Sequence, residues 1–209
     1  MSLLDKLNWR YATKKFDAAK KISPDQLSTL LDAVQLSPSS AGLQPYRILV
    51  VENPEIKEKL REAANGQQQL TTASHVIVFA AEANVDSIYV KNYIDRIAEV
   101  RSVDRVNLEA FETNINNNVN RMTEDVKITW GHKQAYIALG VLVSAAADLG
   151  IDTCPMEGFN AASFDEILGL KALGLTASVI APIGYRAEED ALGKAAKVRR
   201  PKEELFIHI

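Results

Sequence analysis

The chain has 209 residues, of which 47% are hydrophobic and 24% charged, and its formal net charge is −3. This length and composition suit one globular domain with a real core. The acidic balance argues against a general binder of nucleic acid or of anionic membranes. Cys154 is the only cysteine, so no intrachain disulfide can form. With no signal peptide and no membrane-spanning apolar run in the sequence, we expect a cytoplasmic protein.

The amino-terminal third predicts helices with well-defined starts. Early leucines at helical spacing indicate a short helix that runs into the basic stretch NWRYATKKF, residues 8–16. Ser23, Pro24 and Gln26 supply the cap, the first-turn proline and the capping box of a second helix. Asn53 and the proline after it predict the start of a third.

Apolar runs predict the strands of the fold. YRILVVEN from residue 46, HVIVFAAE from residue 75 and ASVIAPIGY from residue 177 are typical of buried strands. The tail EELFIHI, residues 203–209, has the pattern of a fourth strand. An apolar strand there must pair somewhere, and a second chain could supply the partner.

Residues 130–150, WGHKQAYIALGVLVSAAADLG, predict one long helix that Gly150 closes. Small and apolar residues cover most of its circumference, so we expect it to be buried on several sides and shared with a partner subunit. Irregularly interleaved strands and helices, without repeats or linkers, predict a single α+β domain over residues 1–209 with a three-layer arrangement.

Two basic clusters lie at opposite ends of this acidic chain. Arg10, Lys14 and Lys15 form the first, and KAAKVRRP, residues 194–201, contains the second. Each cluster alone is more typical of a solvated surface. Together they suggest one shared phosphate, because arginine binds phosphate oxygens in pairs and lysine adds a point charge.

Two loops could complete such a site. SPSSAGLQPY, residues 37–46, offers hydroxyls and flexible backbone, and CPMEGF, residues 154–159, offers the amides of Glu157 and Gly158 to a flat ligand. Ordinary turns are the alternative interpretation of both.

Taken together, these segments resemble the FMN-dependent nitroreductase family over nearly the whole chain. RYATKKF resembles the family's R-x-S-x-[KR]-x-F/Y opening, and SPSSAGLQPYRILVV its S-P-S-x-x-N-x-Q-P-W/Y loop and strand. QQQLTTASHVIVFAA, the long helix, PMEGF and KVRRP follow in the family's order. The resemblance implies a three-layer α-β-α fold with a mostly antiparallel sheet, the long helix at a homodimer interface and a carboxyl-terminal arm exchanged between subunits.

The resemblance also implies the residues that hold FMN. Arg10, Lys197 and Arg199 would bind its phosphate, Lys14 would lie at the flavin N1/O2 edge, and two amides of the PMEGF turn would face N5 and O4. The segment around residue 40 would reach the flavin from the other subunit. The complete implied set is Arg10, Tyr11, Ala12, Lys14, Pro38, Ser39, Ser40, Gly42, Gln67, Gln69, Gln134, Ile137, Pro155, Met156, Glu157, Gly158, Lys197 and Arg199. Lys14, Glu157 and Gly158 would serve the chemistry directly.

The implied activity is hydride transfer from NAD(P)H through FMN to a planar acceptor, such as a quinone or a nitroaromatic, by a ping-pong mechanism. No G-x-G-x-x-G occurs, so the nicotinamide would be a visiting substrate. The three histidines lack metal spacing, so no metal is expected. Cys154 is typical of a buried small hydrophobe, and RAEEDAL, residues 186–192, of a solvated loop.

Three positions depart from the family pattern: Ala12 replaces a common serine, Gly42 a common asparagine and Gln69 the lysine of one branch. Three alternatives stay open at this point. The same fold could perform flavin cleavage or dehalogenation, the chain could bind flavin without catalysis, or it could be an unrelated phosphoanion-binding module. The physiological acceptor and the preference between NADH and NADPH are not revealed.

Overall fold

A four-stranded antiparallel sheet lies at the centre of the computed structural model, which describes residues 2–209. Its strands are β1 (Tyr46–Val51), β2 (His75–Glu82), β3 (Asp152–Thr153) and β4 (Leu175–Gly184), in the spatial order β1-β2-β4-β3. The three strands predicted from apolar runs are confirmed. The two-residue β3 is too short to leave a hydrophobic pattern, and the sequence did not predict it.

Helices cover both faces of this sheet. Within residues 2–209 they are α1 (Leu3–Trp9), α2 (Pro24–Gln35), α3 (Pro54–Glu62), α4 (Gln69–Thr72), α5 (Ser87–Arg101), α6 (Glu109–Asn120), α7 (Glu124–Asp148), α8 (Ala161–Ile167) and α9 (Lys202–Leu205). Successive residues of a strand point to opposite faces. Val76 and Val78 therefore pack with α3, α4 and α8, whereas Ile77 and Phe79 pack with α2 and α7. The predicted three-layer α+β architecture is confirmed.

The predicted starts of α2 and α3 and the predicted end of the long helix are also confirmed, whereas α7 begins at Glu124, before the predicted residue 130. The Ser23 Oγ accepts a hydrogen bond from the Gln26 amide at 3.3 Å, and the Ser23 amide donates to Gln26 Oε1 at 3.4 Å. Asn53 Oδ1 accepts from the Ile56 amide at 3.0 Å. The long helix α7 ends before Gly150, whose φ of 71° is the left-handed conformation that glycine adopts readily.

Helix α7 packs against α1, α2 and the sheet, and one of its faces stays open. Ala135, Ala138 and Leu142 are fully buried. Tyr136 and Ile137 keep 40% and 43% of their surface exposed. Within the protomer the buried residues of α7 therefore form one stripe, and the expected burial on several sides is not reached. That the exposed face is shared with a second subunit stays a prediction.

One prediction about the chain ends is confirmed and one was wrong. Helix α1 runs into the basic stretch as predicted and ends at Trp9, where the chain continues in extended conformation from Arg10. The tail forms no strand in this protomer: Lys202–Leu205 is one helical turn, and residues 206–209 are extended and exposed. Nothing within the described chain pairs with these apolar residues, so their strand propensity finds no partner.

No helix among residues 2–209 combines the length and apolarity needed to cross a bilayer.

Candidate functional site

The basic stretch after α1 is held in place by buried carboxylates. Ala12 lies beside β3, and the Thr13 amide donates to the Thr153 carbonyl at 3.1 Å. Asp190 Oδ2 accepts from the amides of Lys14 and Lys15 at 2.7 and 3.0 Å. Burial acts to raise the pKa of Asp190, but these hydrogen bonds lower it overall. The carboxylate therefore stays charged and fixes the backbone of the stretch.

Asp190 corrects the interpretation of RAEEDAL as a solvated loop, because only 5% of its surface is exposed. Sequence could not separate it from its acidic neighbours Glu188 and Glu189, which are exposed. One usable signal was local: Asp190 accepts from the Leu192 amide at 3.2 Å and so caps the turn that follows.

Arg186 organises the residues on either side of Arg10. Its Nη2 lies 2.6 Å from Asp152 Oδ1, and the Asp152 side chain is 3% exposed. The guanidinium also stacks 4.1 Å from the ring centre of Trp9 and 4.6 Å from that of Tyr11. Sequence reasoning missed Arg186 and Asp152. The aromatic residues that flank Arg10 were the available signal for a stacked cation.

The two basic clusters meet around one cavity of about 360 Å³. Arg10, Tyr11, Ala12 and Lys14 line one side, and Leu192 and residues 195–199, including Lys197 and Arg199, line the other. The Lys197 ammonium donates to the carbonyl of Asn8 at 2.8 Å and to that of Arg10. Of the residues that the structure describes, no aspartate or glutamate lines this cavity. The predicted convergence of the chain ends is present.

The cations at this cavity are not neutralised by the protein. Burial, followed by the charge of Arg199, lowers the pKa of Arg10. Burial, followed by the charges of Arg10 and Arg199, lowers that of Lys197. The Nε of Arg10 is buried and has no hydrogen-bond partner within residues 2–209. Mutually repelling cations with an unused donor are what a bound anion would stabilise.

A chain of side-chain contacts links this cavity to the PMEGF turn. Lys14 Nζ lies 3.7 Å from Cys154 Sγ. Gln69 Nε2 donates to Gln67 Oε1 at 3.1 Å, and Gln67 Nε2 donates to the Gly158 carbonyl at 2.9 Å. Cys154 is fully buried, as expected, and burial raises the pKa of its thiol.

The turn of residues 155–158 is anchored at both ends and exposes two amides between them. Met156 exchanges backbone hydrogen bonds with Ile180 at 2.8 and 3.1 Å. The Tyr136 hydroxyl donates to Glu157 Oε1 at 2.6 Å. Within the described chain, the amides of Glu157 and Gly158 donate no hydrogen bond, and both residues are exposed. Pro155 has no amide to offer. That these two free donors face a ligand stays a prediction.

The remaining predicted residues form a separate group. Gln134 on α7 accepts from the Ser40 amide through Oε1 at 2.8 Å, and Ser39 Oγ accepts from the Gln44 amide at 2.9 Å. This group consists of Pro38, Ser39, Ser40, Gly42, Gln134 and the exposed Ile137. None of its members lines the Arg10 cavity. A site shared between subunits would require such a separation, and the sharing stays a prediction.

No group of three or more histidine, cysteine, aspartate or glutamate side chains within residues 2–209 is arranged to hold a metal ion.

The fold and this cavity define an α+β protein with a cation-lined site assembled from both ends of the chain. The model of the Nitroreductase family matches residues 7–185, and the chain belongs to this family. Membership rules out an unrelated phosphoanion-binding module.

Relatives from bacteria support the same family. A Staphylococcus haemolyticus protein is 40% identical to this chain, and the comparison covers 98% of this chain and 96% of the relative. The name of that protein gives NAD(P)H nitroreductase as its assumed activity. YfkO of Bacillus subtilis, named in the same way, is 39% identical over 90% of each chain.

Solved structures share the fold. The Bacillus subtilis protein ydfN superposes with a TM-score of 0.89 at 22% identity, with 99% of this chain and 98% of that chain covered. An Exiguobacterium sibiricum protein, solved in complex with FMN, superposes with a TM-score of 0.86 at 21% identity, with 100% and 98% covered. At these identities the likeness establishes architecture alone.

Proposed function

We propose that this protein is an FMN-dependent oxidoreductase that takes hydride from NAD(P)H and reduces a planar acceptor such as a quinone or a nitroaromatic. The names of the relatives and the FMN complex of a structural neighbour support this proposal. The observation that carries it is the convergence of Arg10, Lys197 and Arg199 on one cavity without an acidic side chain.

The residues present fit FMN by their chemistry. A phosphate dianion would neutralise the repulsion between the three cations and accept from the unpartnered Nε of Arg10. Gln67 and Gln69 would reach the ribityl chain and pyrimidine, and Pro155 and Met156 would cover one face. The amides of Glu157 and Gly158 would satisfy acceptors on the ring edge.

Bound FMN would supply the two-electron chemistry, accepting hydride from the nicotinamide and passing it to the acceptor. Lys14 would stabilise the negative charge that accompanies reduction. Its ammonium contacts the thiol of Cys154 and forms no ion pair with a carboxylate among residues 2–209, so its charge is available to a ligand. The hydrogen bonds of Met156 and Glu157 fix the turn before a ligand binds. The amides at residues 157 and 158 would therefore need little reorganisation to donate to it.

The working unit would be a homodimer. Ser39, Ser40 and Gly42 of each subunit would contribute to the flavin site of the other. The exposed face of α7, with Tyr136 and Ile137, would form part of the interface. Phe206 and Ile207 of the tail, 57% and 84% exposed, would be covered by the second subunit.

A direct test starts from the purified protein. It should be yellow and release FMN on denaturation. Anaerobic NADPH or NADH should bleach the flavin band, and a quinone or nitroaromatic should restore it. Double-reciprocal plots at several acceptor concentrations should be parallel, as in a ping-pong mechanism. A flavin that binds but is never reduced would indicate a non-enzymatic flavin-binding protein. Loss of flavin or dehalogenated product would indicate another chemistry on this fold.

The phosphate site has a matched control. Arg199→Ala should weaken FMN binding at least tenfold in a fluorescence titration, since it removes a charge-assisted contact. Arg200→Ala removes the same charge one residue away and outside the cavity lining, and it should change affinity less than twofold. Equal effects of both substitutions would remove Arg199 from the site.

A further inference from the structure

A second cavity, between the first turns of α2 and α3, contains a buried lysine without a counter-charge. The cavity has a volume of about 830 Å³ and lies beyond the end of β1. Lys57 lines it and is only 4% exposed. Its ammonium donates to the carbonyls of Ala73 and Ser74 at 2.6 and 3.4 Å, which leaves one of its three N–H groups unused.

The other titratable groups around this cavity are one further lysine, one carboxylate and a histidine whose pKa is lowered by burial. Lys21 lies on its exposed rim, and His75 lines it with 7% of its surface exposed. His75 Nε2 lies 3.5 Å from Glu52 Oε2, and its Nδ1 is buried without a partner in the described chain. Glu52 is the single acidic residue among the lining residues, and its side chain is 79% exposed. No carboxylate in residues 2–209 forms an ion pair with Lys57 or Lys21.

A buried ammonium is costly unless it is paired with an anion. The pKa of Lys57 reflects this cost, because burial, assisted by the charge of Lys21, lowers it to about 8. Three apolar residues, Ile22, Pro24 and Leu27, also line the cavity. The volume is also far larger than a phosphate or chloride ion needs. The lysine ammonium groups therefore suit an anionic group, and the apolar residues suit a hydrocarbon part of the same molecule.

We propose that this cavity binds an aliphatic carboxylate, with the carboxylate on Lys57 and Lys21 and the hydrocarbon chain against Ile22 and Leu27. Nitroaromatic or quinone reduction does not use these residues, so this site is separate from the proposed flavin site and does not depend on it. Carboxylate binding would also raise the pKa of Lys57 and of His75, since the negative charge favours their protonated forms.

The test uses the holoprotein with octanoate as the probe and octanol as the uncharged match. Calorimetry should detect saturable octanoate binding that is at least tenfold tighter than octanol binding. Lys57→Met should reduce the octanoate affinity at least tenfold. Lys59→Met, an exposed lysine on the same helix, should change it less than twofold. Octanoate should shift the Cε1 NMR signal of His75 and leave that of His132 in place.

Three affinity results would overturn the proposal. These are no saturable octanoate binding to the wild type, equal affinity for octanoate and octanol, and unchanged octanoate affinity in Lys57→Met. If octanoate displaces a flavin-site ligand and does not move the His75 signal, octanoate binds at the flavin site. That result would also contradict the proposal. If Lys57→Met does not fold, the exposed Lys21→Met variant provides the test, with a threefold or larger loss expected.

Discussion

The Tyr136 hydroxyl lies 2.6 Å from Glu157 Oε1, which ties the middle of α7 to the turn that exposes two free amides. Burial and the neighbouring Glu157 raise the pKa of Tyr136 to about 12, so this hydrogen bond persists across the physiological pH range. The long helix therefore positions the turn, although the two lie in different parts of the sequence.

Tyr136→Phe should weaken FMN binding about threefold to tenfold, because losing one hydrogen bond to a charged group costs about 1 kcal/mol or more. The unfolding free energy should fall by no more than about 1 kcal/mol, since Tyr136 is 40% exposed. Fluorescence titration and urea denaturation measure the two quantities. Tyr185→Phe, which removes a 2.9 Å hydrogen bond to Gln26 on α2, is the matched control. FMN affinity equal to that of the wild type would show that the turn needs no support from α7.

Asp152→Asn should lower the unfolding free energy by about 2–4 kcal/mol, because it leaves Arg186 without its buried partner. Urea denaturation measures this loss. Arg186→Met added to Asp152→Asn should recover part of it, since the unpaired charge is then gone. A single-variant loss below about 0.5 kcal/mol would mean that the pair contributes as little as a surface salt bridge.

Gly42→Ala should destabilise the protein through two separable effects. The first is backbone strain at a positive φ, and the second is a clash of the added Cβ with Tyr93. The φ of Gly42 is 76°, and an added Cβ would overlap the Tyr93 hydroxyl and lie 3.1 Å from Tyr93 Cζ. Gly169→Ala isolates the first effect, because its φ is 65° and nothing lies within 4 Å of its Cβ. Gly169→Ala should cost about 1 kcal/mol and Gly42→Ala about 1–2 kcal/mol more. Equal thermal-denaturation losses would show that Tyr93 moves aside freely.

Lys57 should make the stability of the protein rise with pH between about pH 8 and 10. Its folded pKa is about 8, whereas the unfolded lysine titrates near 10.4. In this window the unfolded chain binds more protons than the folded chain, so the unfolding free energy increases with pH. Lys57→Met should lose this contribution and Lys59→Met should keep it. The measurement is the unfolding free energy of each variant and of the wild type at pH 7.5, 8.5 and 9.5. If the difference between Lys57→Met and the wild type is the same at all three pH values, the prediction is contradicted.

Ile137→Glu should dissociate the proposed dimer, because it places a charge on the exposed face of α7. Light scattering after size-exclusion chromatography should give a monomer mass near 23.0 kDa for the variant and twice that for the wild type. Val100→Glu, at a residue 76% exposed near the end of α5, should stay dimeric. A dimeric Ile137→Glu variant would place the interface on another surface.

Local signals made much of the fold predictable from sequence. The capped starts of α2 and α3 depend on contacts three residues apart, so the pattern around Ser23 and Asn53 was sufficient to place them. The strands at residues 46, 75 and 177 depend on continuous apolar runs, which only a buried position tolerates. Two of the family motifs, RYATKKF and KVRRP, likewise contain residues that line the Arg10 cavity, since each motif is a short continuous stretch.

The remaining features depend on contacts that no local pattern encodes. Lys14 and Cys154 are 140 residues apart, and Arg186 and Asp152 are 34 apart. Whether Asp190 is a solvated acid or a buried anchor depends on the segment that packs over it, which a window of neighbouring residues does not contain. The same holds for β3, which exists because β4 lies beside it, and for the tail, whose apolar residues find no strand to join in the protomer. The sequence by itself determined most of the helices and strands and the chemistry of their side chains. The tertiary structure decided the short strand β3, the conformation of the tail, which charges are buried and which cations meet, because burial and long-range pairing exist only once the chain has folded.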